Sequence, residues 1–319
     1  MKTLSPKIMV LVLVALVCGP WASPLAQRRS ESNGRDGTRR GPVSTVTIPV
    51  TVRLPDKPPQ TELQYLAGLA VYEDGEQQEI LTTRGAARSP LTLAVLIQDD
   101  LVSSVSSEIR DFAEFIRRLP PGSRVMVGYL RGGSLQVRQK WTTDLERAAK
   151  ALRIPASSTA VAPYNPFVQT REAIKRFESQ PVGRRAAVLV SDGVDISRGA
   201  ESSLPSLSLD LQRAINEAQR RGVAVYSIFA PTVWGNRALI GNGQGSLNRL
   251  SQETGGRAFF QGSGAPVSVK PFLGEIETLL SRLFALTFLS THPEKGFHRV
   301  RVVAELPEGD IYFPHGYTR

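Results

Sequence analysis

Three aspartates stand where two apolar segments of the chain end. Asp99 and Asp100 follow the run Leu91–Ile97 after one glutamine, and Asp192 follows the run Ala186–Val190 after one serine. Runs of this kind are typical of strands that are buried on both faces. In an open parallel sheet such strands end at one edge, where ligands bind. Carboxylate oxygens suit Mg²⁺, Mn²⁺ and Ca²⁺, so these residues indicate the binding of a hard cation.

The segments around these aspartates alternate between strand patterns and helix patterns. Apolar residues recur at helical spacing after the first run, at Val105, Ile109, Phe112 and Ile116. A third apolar run, Val223–Phe229, follows another helix pattern. Alternation of this kind implies right-handed crossovers. We therefore predict an α/β fold with a doubly wound, mostly parallel sheet over residues 91–290.

The sequence resembles the von Willebrand factor A family over roughly residues 90–290. The resemblance rests on four segments, which are the strand that ends in Asp100, VLVSDG at 188–193, RGVAVYSI at 221–228 and LSQETGG at 250–256. The flanks VYEDG at 71–75 and Gly316-Tyr317 are similar to those of an exported bacterial subgroup. The resemblance implies a Rossmann-like α/β domain that mediates protein–protein interaction or adhesion.

Members of that family bind a divalent cation at a metal-ion-dependent adhesion site, which an acidic residue of the partner completes. The pattern is Asp-x-Ser-x-Ser after the first strand, a threonine from a middle loop and an aspartate after a later strand. The resemblance implies that Asp100 is the first aspartate, Ser104 the second serine and Asp192 the distal aspartate.

The chain departs from this pattern at two positions. Val102 stands at the first serine, and Val168 stands where the threonine is expected. Thr159 and Thr170 lie nearby but out of register, and starting the pattern at Asp99 restores neither position. We therefore expect a degenerate site and no tightly bound cofactor. A weakly held Mg²⁺, Mn²⁺ or Ca²⁺, surrounded largely by water, is the alternative.

Other residue types that catalyse reactions do not combine into a recognisable site. His292, His298 and His315 lack the spacing of a zinc site, and we interpret them as exposed polar side chains. The sequence has no Gly-x-Ser-x-Gly motif. The segment GNGQG at 241–245 lacks the lysine of a phosphate-binding loop, and it predicts a flexible connection. We expect no enzymatic activity, with a hydrolase as the alternative.

The N-terminal segment has the pattern of an export signal. Lys2 and Lys7 form a short positive region before the apolar run Ile8–Val17, and a polar stretch starts after Ala26. This pattern predicts a signal peptide over residues 1–26 and a periplasmic, cell-surface or secreted protein. A retained N-terminal anchor is the alternative.

The charge of the chain is strongly positive. The formal net charge is +10, and residues 27–42 contain five arginines among serine, asparagine and glycine. That composition predicts a basic disordered linker over 27–42. A basic surface favours anionic partners such as acidic envelope polymers or lipid head groups. Export argues against nucleic acid, and we expect no nucleic-acid partner.

Both flanks of the α/β segment show β patterns. The segment VTIPVTVRL at 46–54 alternates apolar and polar residues, and Asp74-Gly75 predicts a hairpin turn. Strand patterns recur towards the C-terminus at Phe284–Ser290, Val300–Leu306 and Ile311–Phe313, and they favour antiparallel pairing. We predict an N-terminal β unit over 43–90 and a C-terminal β segment over 291–319 that pack together.

These observations favour an interaction protein. We expect another envelope or extracellular protein to bind the upper loops of the α/β domain, near residues 99–104, 157–170, 192–200 and 231–245. Aromatic and proline residues predict an apolar patch there, with core packing as the alternative, at Pro163, Tyr164, Phe167 and Trp234. A structural or assembly component of the cell envelope, without dependence on metal, is the alternative function.

Overall fold

A computed structural model describes residues 44–54, 68–232, 237–304 and 309–319, with only the backbone of Ser104, Ser106 and Arg237. The signal peptide expected over 1–26 and the linker expected over 27–42 lie outside the described residues. None of the helices in the described ranges has the length and apolar character of a membrane span.

The chain alternates strands and helices through its middle and is all strand at its ends. The strands are β1 (Ser44–Arg53), β2 (Ala70–Glu73), β3 (Glu76–Arg84), β4 (Leu91–Gln98), β5 (Arg124–Arg131), β6 (Ser134–Thr142), β7 (Arg184–Ser191), β8 (Val223–Phe229), β9 (Ala258–Phe259), β10 (Leu283–Ser290), β11 (Phe297–Val303), β12 (Asp310–Tyr312) and β13 (Gly316–Thr318). The α-helices are α1 (Ile109–Arg118), α2 (Leu145–Lys150), α3 (Pro166–Lys175), α4 (Leu209–Arg221), α5 (Ile240–Glu253) and α6 (Lys270–Ser281).

The middle of the chain forms a six-stranded sheet in the order β6-β5-β4-β7-β8-β9. All neighbouring pairs are parallel except β5 with β6, which is an antiparallel hairpin. Numbered from β4, this is the order 3-2-1-4-5-6 of a doubly wound sheet, whose strand order reverses at its first strand. The predicted fold class is confirmed.

Helices cover both faces of this sheet because its central strands are apolar on both sides. Every residue of β4, β7 and β8 is buried. Leu93, Val95 and Ile97 of β4 pack with α1, α2 and α6 on one face. Ala94 and Leu96 pack with α3, α4 and α5 on the other face. Burial of this kind contributes about 1.5–3 kcal/mol for each large side chain.

Local signals in the sequence set the ends of the helices. Ser208 begins α4, and its hydroxyl accepts a hydrogen bond from the backbone N–H of Leu211. Gly222 ends α4 in the left-handed conformation, with φ of 60°. A Cβ atom at Gly222 would lie 2.8 Å from the carbonyl oxygen of Thr47 in β1. The glycine therefore also permits the close approach of α4 to the second sheet.

The flanks of the chain form a seven-stranded sheet in the order β12-β1-β10-β3-β2-β11-β13, and its pairs are antiparallel. We expected the α/β domain to extend to residue 290. Instead, β10 lies inside the second sheet, where it pairs with β1 along Ser44–Thr51 and with β3. The reason is that α6 ends at Ser281 and a very short connection leads from there into that sheet.

A buried arginine joins the two sheets. Arg184, at the start of β7, is 2% exposed. Its guanidinium donates to the carbonyl oxygens of Leu283 at 2.6 Å and of Ser89 at 3.2 Å, and also to that of Leu280. Burial lowers the pKa of Arg184 to about 10. One side chain therefore connects three carbonyl groups at the junction between the sheets.

A second polar cluster fastens the end of the chain to β2. Glu73 is fully buried and accepts hydrogen bonds from the hydroxyls of Tyr317 and Ser290. Beside it, Nδ1 of His298 lies 2.8 Å from Oδ2 of Asp74, and Nε2 lies 2.9 Å from the carbonyl oxygen of Glu294. Since His298 is 5% exposed, its interpretation as an exposed side chain is wrong.

Both partners of His298 accept hydrogen bonds, so both ring nitrogens donate when the side chain is protonated. Burial lowers the pKa of His298, but the hydrogen bonds to Glu294 and Asp74 outweigh burial and raise the pKa above its ordinary value. The imidazolium is therefore the form that folding favours. Its contribution to stability is fully present below the ordinary histidine pKa and is lost as the pH rises through the raised pKa.

We predict that His298→Gln destabilises the protein most at mildly acidic pH. At about pH 6, urea unfolding should show a loss of about 1–2 kcal/mol, because glutamine cannot supply the charged hydrogen bond to Asp74. At about pH 9 the loss should be smaller, since the stabilisation by the imidazolium is lost as the pH rises through the raised pKa.

His315→Gln is the matched control, because His315 is exposed and lies in the same C-terminal segment. This variant should lose little stability at either pH. An equal loss for His298→Gln at both pH values would contradict the assignment of an imidazolium.

Candidate functional site

The parallel pairing of β4 with β7 brings Asp100 and Asp192 to the same edge of the sheet. The register matches Ile97 with Val190, so both strands end at the same level. The segment after β4 and the segment after β7 therefore leave the sheet side by side. Asp100 is fully buried and Asp192 is 6% exposed. Two carboxylates thus share a site that has little contact with water.

The side chain of Gln98 connects the two strand ends. Its amide Nε2 donates to Oδ1 of Asp100 at 2.9 Å. Its amide Oε1 accepts from the hydroxyl of Ser191 at 2.5 Å and from the backbone N–H of Asp192 at 3.4 Å. A neutral amide can donate to one side and accept from the other. Gln98 therefore fixes Asp100 relative to the turn that carries Asp192.

Asp192 accepts hydrogen bonds that favour its ionised form, but its burial and the neighbouring Asp100 disfavour that form. Its Oδ1 accepts from the backbone N–H of Val194 at 3.1 Å, and its Oδ2 accepts from the hydroxyl of Thr232 at 3.2 Å. Burial, and secondly the charge of Asp100, raise the pKa of Asp192 to about 7. A strained carboxylate of this kind is typical of functional sites, although ion-pair networks also shift pKa values.

Thr232 joins the site from the loop after β8, and the sequence analysis missed it. Thr232 pairs with Leu101 as an antiparallel bridge, and the N–H of Val102 donates to the carbonyl oxygen of Pro231 at 3.0 Å. The loop after β8 therefore closes over the segment after β4. The apolar run of β8 is the signal in the sequence that could have identified Thr232, because β8 ends at the same edge of the sheet as β4 and β7.

Asp99 does not belong to the carboxylate pair. Its carboxylate accepts two hydrogen bonds from Arg153, at 2.7 and 2.8 Å, and one from the N–H of Ala156 at 2.9 Å. Burial raises the pKa of Asp99, but these hydrogen bonds outweigh burial and hold the pKa below its ordinary value. Asp99 therefore anchors the loop that follows α2 and stays ionised.

The remaining positions of the adhesion pattern do not supply oxygen ligands from the described side chains. Val102 begins a short 3-10 helix, and Val168 is 44% exposed on α3. The hydroxyl of Thr170 donates to the carbonyl oxygen of Pro166 at 2.8 Å, inside α3. The side chain of Ser104 lies outside the described residues. Among the described side chains, no group of three or more His, Cys, Asp or Glu residues is placed to hold a metal.

The carboxylate pair is covered on one side by α5. Gly193 has φ of 67°, and a Cβ atom there would lie 2.5 Å from the carbonyl oxygen of Gly243. A Cβ atom at Gly243 would lie 2.0 Å from the carbonyl oxygen of Asp192. Two glycines therefore allow a helix to contact the turn backbone to backbone. The flexible connection expected at 241–245 is wrong, since these residues are helical.

The upper loops present apolar side chains to solvent. Tyr164 is 58% exposed, and its carbonyl oxygen accepts from the N–H of Ile196 at 2.9 Å. Asn165 donates to Asp210 at 2.9 Å, so the loop before α3 is joined to the start of α4. Three leucines of the loop before α4 and its first turn are also exposed, namely Leu204, Leu207 and Leu209. We call Tyr164, Leu204, Leu207 and Leu209 the upper apolar patch.

Only some of the residues that were predicted to form an apolar patch are exposed. Tyr164 is exposed as expected, but Pro163 and Phe167 are buried, and Phe167 packs in the core beneath α3. The core-packing alternative is therefore right for Phe167. Trp234 lies outside the described residues. The leucines were missed because the segment before α4 is rich in serine and reads as a polar loop.

Asp195 gives the loop after β7 its shape. Its Oδ1 accepts from the N–H and the hydroxyl of Ser197, and its Oδ2 accepts from the hydroxyl of Ser208 at 2.8 Å. Asp195 is 3% exposed. Both carboxylate oxygens of Asp195 therefore accept hydrogen bonds from side chains of its own loop.

Comparison with solved structures finds neighbours of low sequence identity. An aerotolerance-related membrane protein of Bacteroides fragilis is 12% identical with a TM-score of 0.40, over 60% of this chain and 98% of its own. BatB, a conserved hypothetical protein of Bacteroides thetaiotaomicron, is 12% identical with a TM-score of 0.41, over 60% and 97%. The SpRpn10 VWA domain is 13% identical with a TM-score of 0.38, over 59% and 95%.

These likenesses concern the fold alone. The doubly wound α/β fold of the chain itself rests on its strand order. No protein-family model matches the chain, and no curated protein matches it.

We predict that Asp192→Asn stabilises the metal-free protein. The raised pKa of Asp192 means that its ionised form is disfavoured by folding, so stability falls as the pH rises towards about 7. Asparagine retains the hydrogen bond from Val194 and removes the repulsion by Asp100. Urea unfolding with a chelator at about pH 8 should show a gain of about 1–3 kcal/mol, and little gain at about pH 4.

Asp195→Asn provides the matched control. It changes a buried aspartate of the same loop, but it replaces an acceptor that Ser197 and Ser208 both use. This variant should be destabilised by about 1–2 kcal/mol at pH 8. If Asp192→Asn is destabilised as much as Asp195→Asn, the carboxylate pair is not strained.

Proposed function

We propose that this protein is a non-enzymatic interaction protein whose upper apolar patch binds another envelope or extracellular protein. The observation that carries the proposal is the exposure of Tyr164, Leu204, Leu207 and Leu209 on loops that the sheet and its helices hold in place. Hydrogen bonds from Ile196 to Tyr164 and from Asn165 to Asp210 join the loops that carry these side chains, and apolar side chains gathered on one part of a surface mark interaction sites. Loops on a rigid scaffold commonly carry such sites.

The carboxylate pair has no role as a reaction centre in this proposal. Among the described residues, the hydrogen-bond partners of Asp192 are Gln98, Val194 and Thr232. Thr232 carries the one hydroxyl among these partners, and because it is only 4% exposed it has little access to a substrate, which covalent catalysis requires. Because Asp100 and Asp192 repel each other, a bound partner or a cation that reduces this repulsion would stabilise the pair.

The metal site of this protein is degenerate in our proposal. Asp100 and Asp192 fit a cation that is held largely by water, because Mg²⁺ commonly keeps several waters and binds one or two carboxylates. Val102 and Val168 leave two positions of the adhesion pattern without an oxygen. The proposed binding of the partner therefore rests on apolar contact and does not require a metal.

Export is part of the proposal because of the sequence pattern over residues 1–26. Mass spectrometry of the protein from its native cells tests it. An N-terminus near residue 27 supports cleavage by signal peptidase, whereas an intact Met1 in a cytoplasmic fraction would contradict export.

A photo-crosslinking amino acid at Leu207 should capture one partner protein in the native cells, and Tyr164→Asp should abolish that crosslink. Charge at position 164 opposes burial against an apolar partner surface. Gel electrophoresis and mass spectrometry of the crosslinked species provide the measurement.

Val182 is the matched position for this experiment. It is 55% exposed, similar to Leu207 at 56%, but it lies two residues before the start of β7 and therefore near the opposite edge of the sheet. Either of two results would contradict the proposed binding face. One is capture of the same protein with equal yield from Val182, and the other is a Leu207 crosslink that Tyr164→Asp leaves unchanged.

Calorimetric titration with Mg²⁺, Mn²⁺ and Ca²⁺ tests the degenerate metal site separately. We expect no binding tighter than about 100 µM, because too few oxygen ligands converge. Micromolar binding by the wild-type protein that Asp192→Asn eliminates would overturn the degenerate assignment. Such a result would leave the upper apolar patch to be judged by crosslinking.

A further inference from the structure

A separate concave surface lies on the outward side of β2 and β11. It is a cavity of about 610 Å³, lined by Tyr72, Asp74, Gly75, Phe297, Arg299 and Arg301. We call it the β2–β11 groove. Its volume lies within the range of roughly 300–1,000 Å³ that is typical of ligand pockets. None of its residues belongs to the carboxylate pair or to the upper apolar patch.

The alternation of β11 creates this surface. His298, Val300 and Val302 are buried, whereas Phe297, Arg299 and Arg301 between them are exposed. Successive side chains of a strand point to opposite faces, so the exposed three share one face. Arg299 and Arg301 are two residues apart, which separates their backbone positions by about 6.8 Å. The groove therefore presents two guanidinium groups in a row.

Aromatic rings lie at both ends of this arginine pair. Tyr72 of β2 pairs with Arg301 across the sheet, and the guanidinium carbon of Arg301 lies 4.7 Å from the centre of the Tyr72 ring. Phe297 is 53% exposed at the other end. A stacked guanidinium keeps the edge with its N–H donors available, because cation–π contact uses only its face.

The charge that is available in the groove is positive. Neither Arg299 nor Arg301 forms an ion pair with a carboxylate of the described residues. The one acid in the lining, Asp74, accepts hydrogen bonds from His298 and from the backbone N–H of Arg299, each at 2.8 Å. Burial raises the pKa of Asp74, but these hydrogen bonds outweigh it and hold the pKa below its ordinary value. Asp74 therefore stays ionised, and the imidazolium of His298 offsets its charge, so Arg299 and Arg301 supply the excess positive charge of the groove.

We propose that the β2–β11 groove binds an acidic peptide segment in extended conformation, with two carboxylates two residues apart. Arg299 and Arg301 each present a planar fork that matches a carboxylate. An extended peptide repeats its side chains at the same spacing of about 6.8 Å, so both carboxylates reach an arginine at once. Tyr72 and Phe297 contact the apolar residues of the same segment.

The concave shape favours a peptide over a membrane surface. A planar array of lipid head groups meets only the rim of a groove, whereas a single chain enters it. This binding site is independent of the proposed function, because it uses the second sheet and not the upper apolar patch.

Fluorescence anisotropy with a labelled peptide of alternating glutamate and valine provides the test. The full-length protein should bind this peptide, and the double variant Arg299→Gln, Arg301→Gln should weaken binding by about tenfold or more. The double variant should unfold at the wild-type temperature, since both side chains are exposed. Tyr72→Leu should weaken binding less, because leucine retains apolar contact but removes the stacked ring.

Two controls separate charge from register. Arg138→Gln removes an exposed arginine of β6, in the other sheet, and should leave affinity unchanged. A peptide of the same composition with its glutamates adjacent should bind at least about threefold more weakly. Equal binding of both peptides, equal loss in Arg138→Gln, or tighter binding to vesicles with anionic lipid or to inorganic phosphate would overturn the proposal.

Discussion

The parallel register of β4 and β7 is the constraint on which the carboxylate pair depends. Because the two strands run in the same direction and end at the same level, the residues that follow them must meet. Gln98 then fixes the meeting point by donating to Asp100 and accepting from Ser191. Two negative side chains are thereby held in a site with little water, where repulsion is screened weakly.

The surrounding structure tolerates this repulsion because it is stabilised elsewhere. Arg184 joins the two sheets through three carbonyl oxygens, and Glu73 secures the last strand through Tyr317. Gly193 and Gly243 allow α5 to lie directly on the turn of Asp192. The loops of the upper apolar patch therefore extend from a scaffold that is packed on every side except the one that faces solvent.

The α/β fold could be predicted from the sequence because its signals are local and periodic. Apolar runs such as Leu91–Ile97 and Val223–Phe229 can be buried only between two layers of helices. The convergence of Asp100 and Asp192 followed from the same argument. The strand pattern of β10 could be predicted, but the end of the α/β domain could not, because only the short connection after α6 places Leu283–Ser290 in the second sheet.

The parts of the site that escaped prediction depend on contacts between distant segments. Thr232 reaches Asp192 only because the loop after β8 folds back onto Leu101. The burial of His298 depends on Asp74 and Glu294 together, and no spacing within the sequence indicates it. The exposure of Leu207 is a property of the assembled surface, since a leucine among serines has no periodic neighbours from which burial can be judged.

The coupling within the buried carboxylate pair can be measured directly by nuclear magnetic resonance. The carboxyl carbon of Asp192, labelled with ¹³C, is titrated in the presence of a chelator, with Asp192→Asn used to assign the signal. The structure predicts that Asp192 titrates with a pKa of about 7. A pKa near or below the ordinary aspartate value of about 3.9 would show that Asp192 is solvated or separated from Asp100, and it would contradict the account.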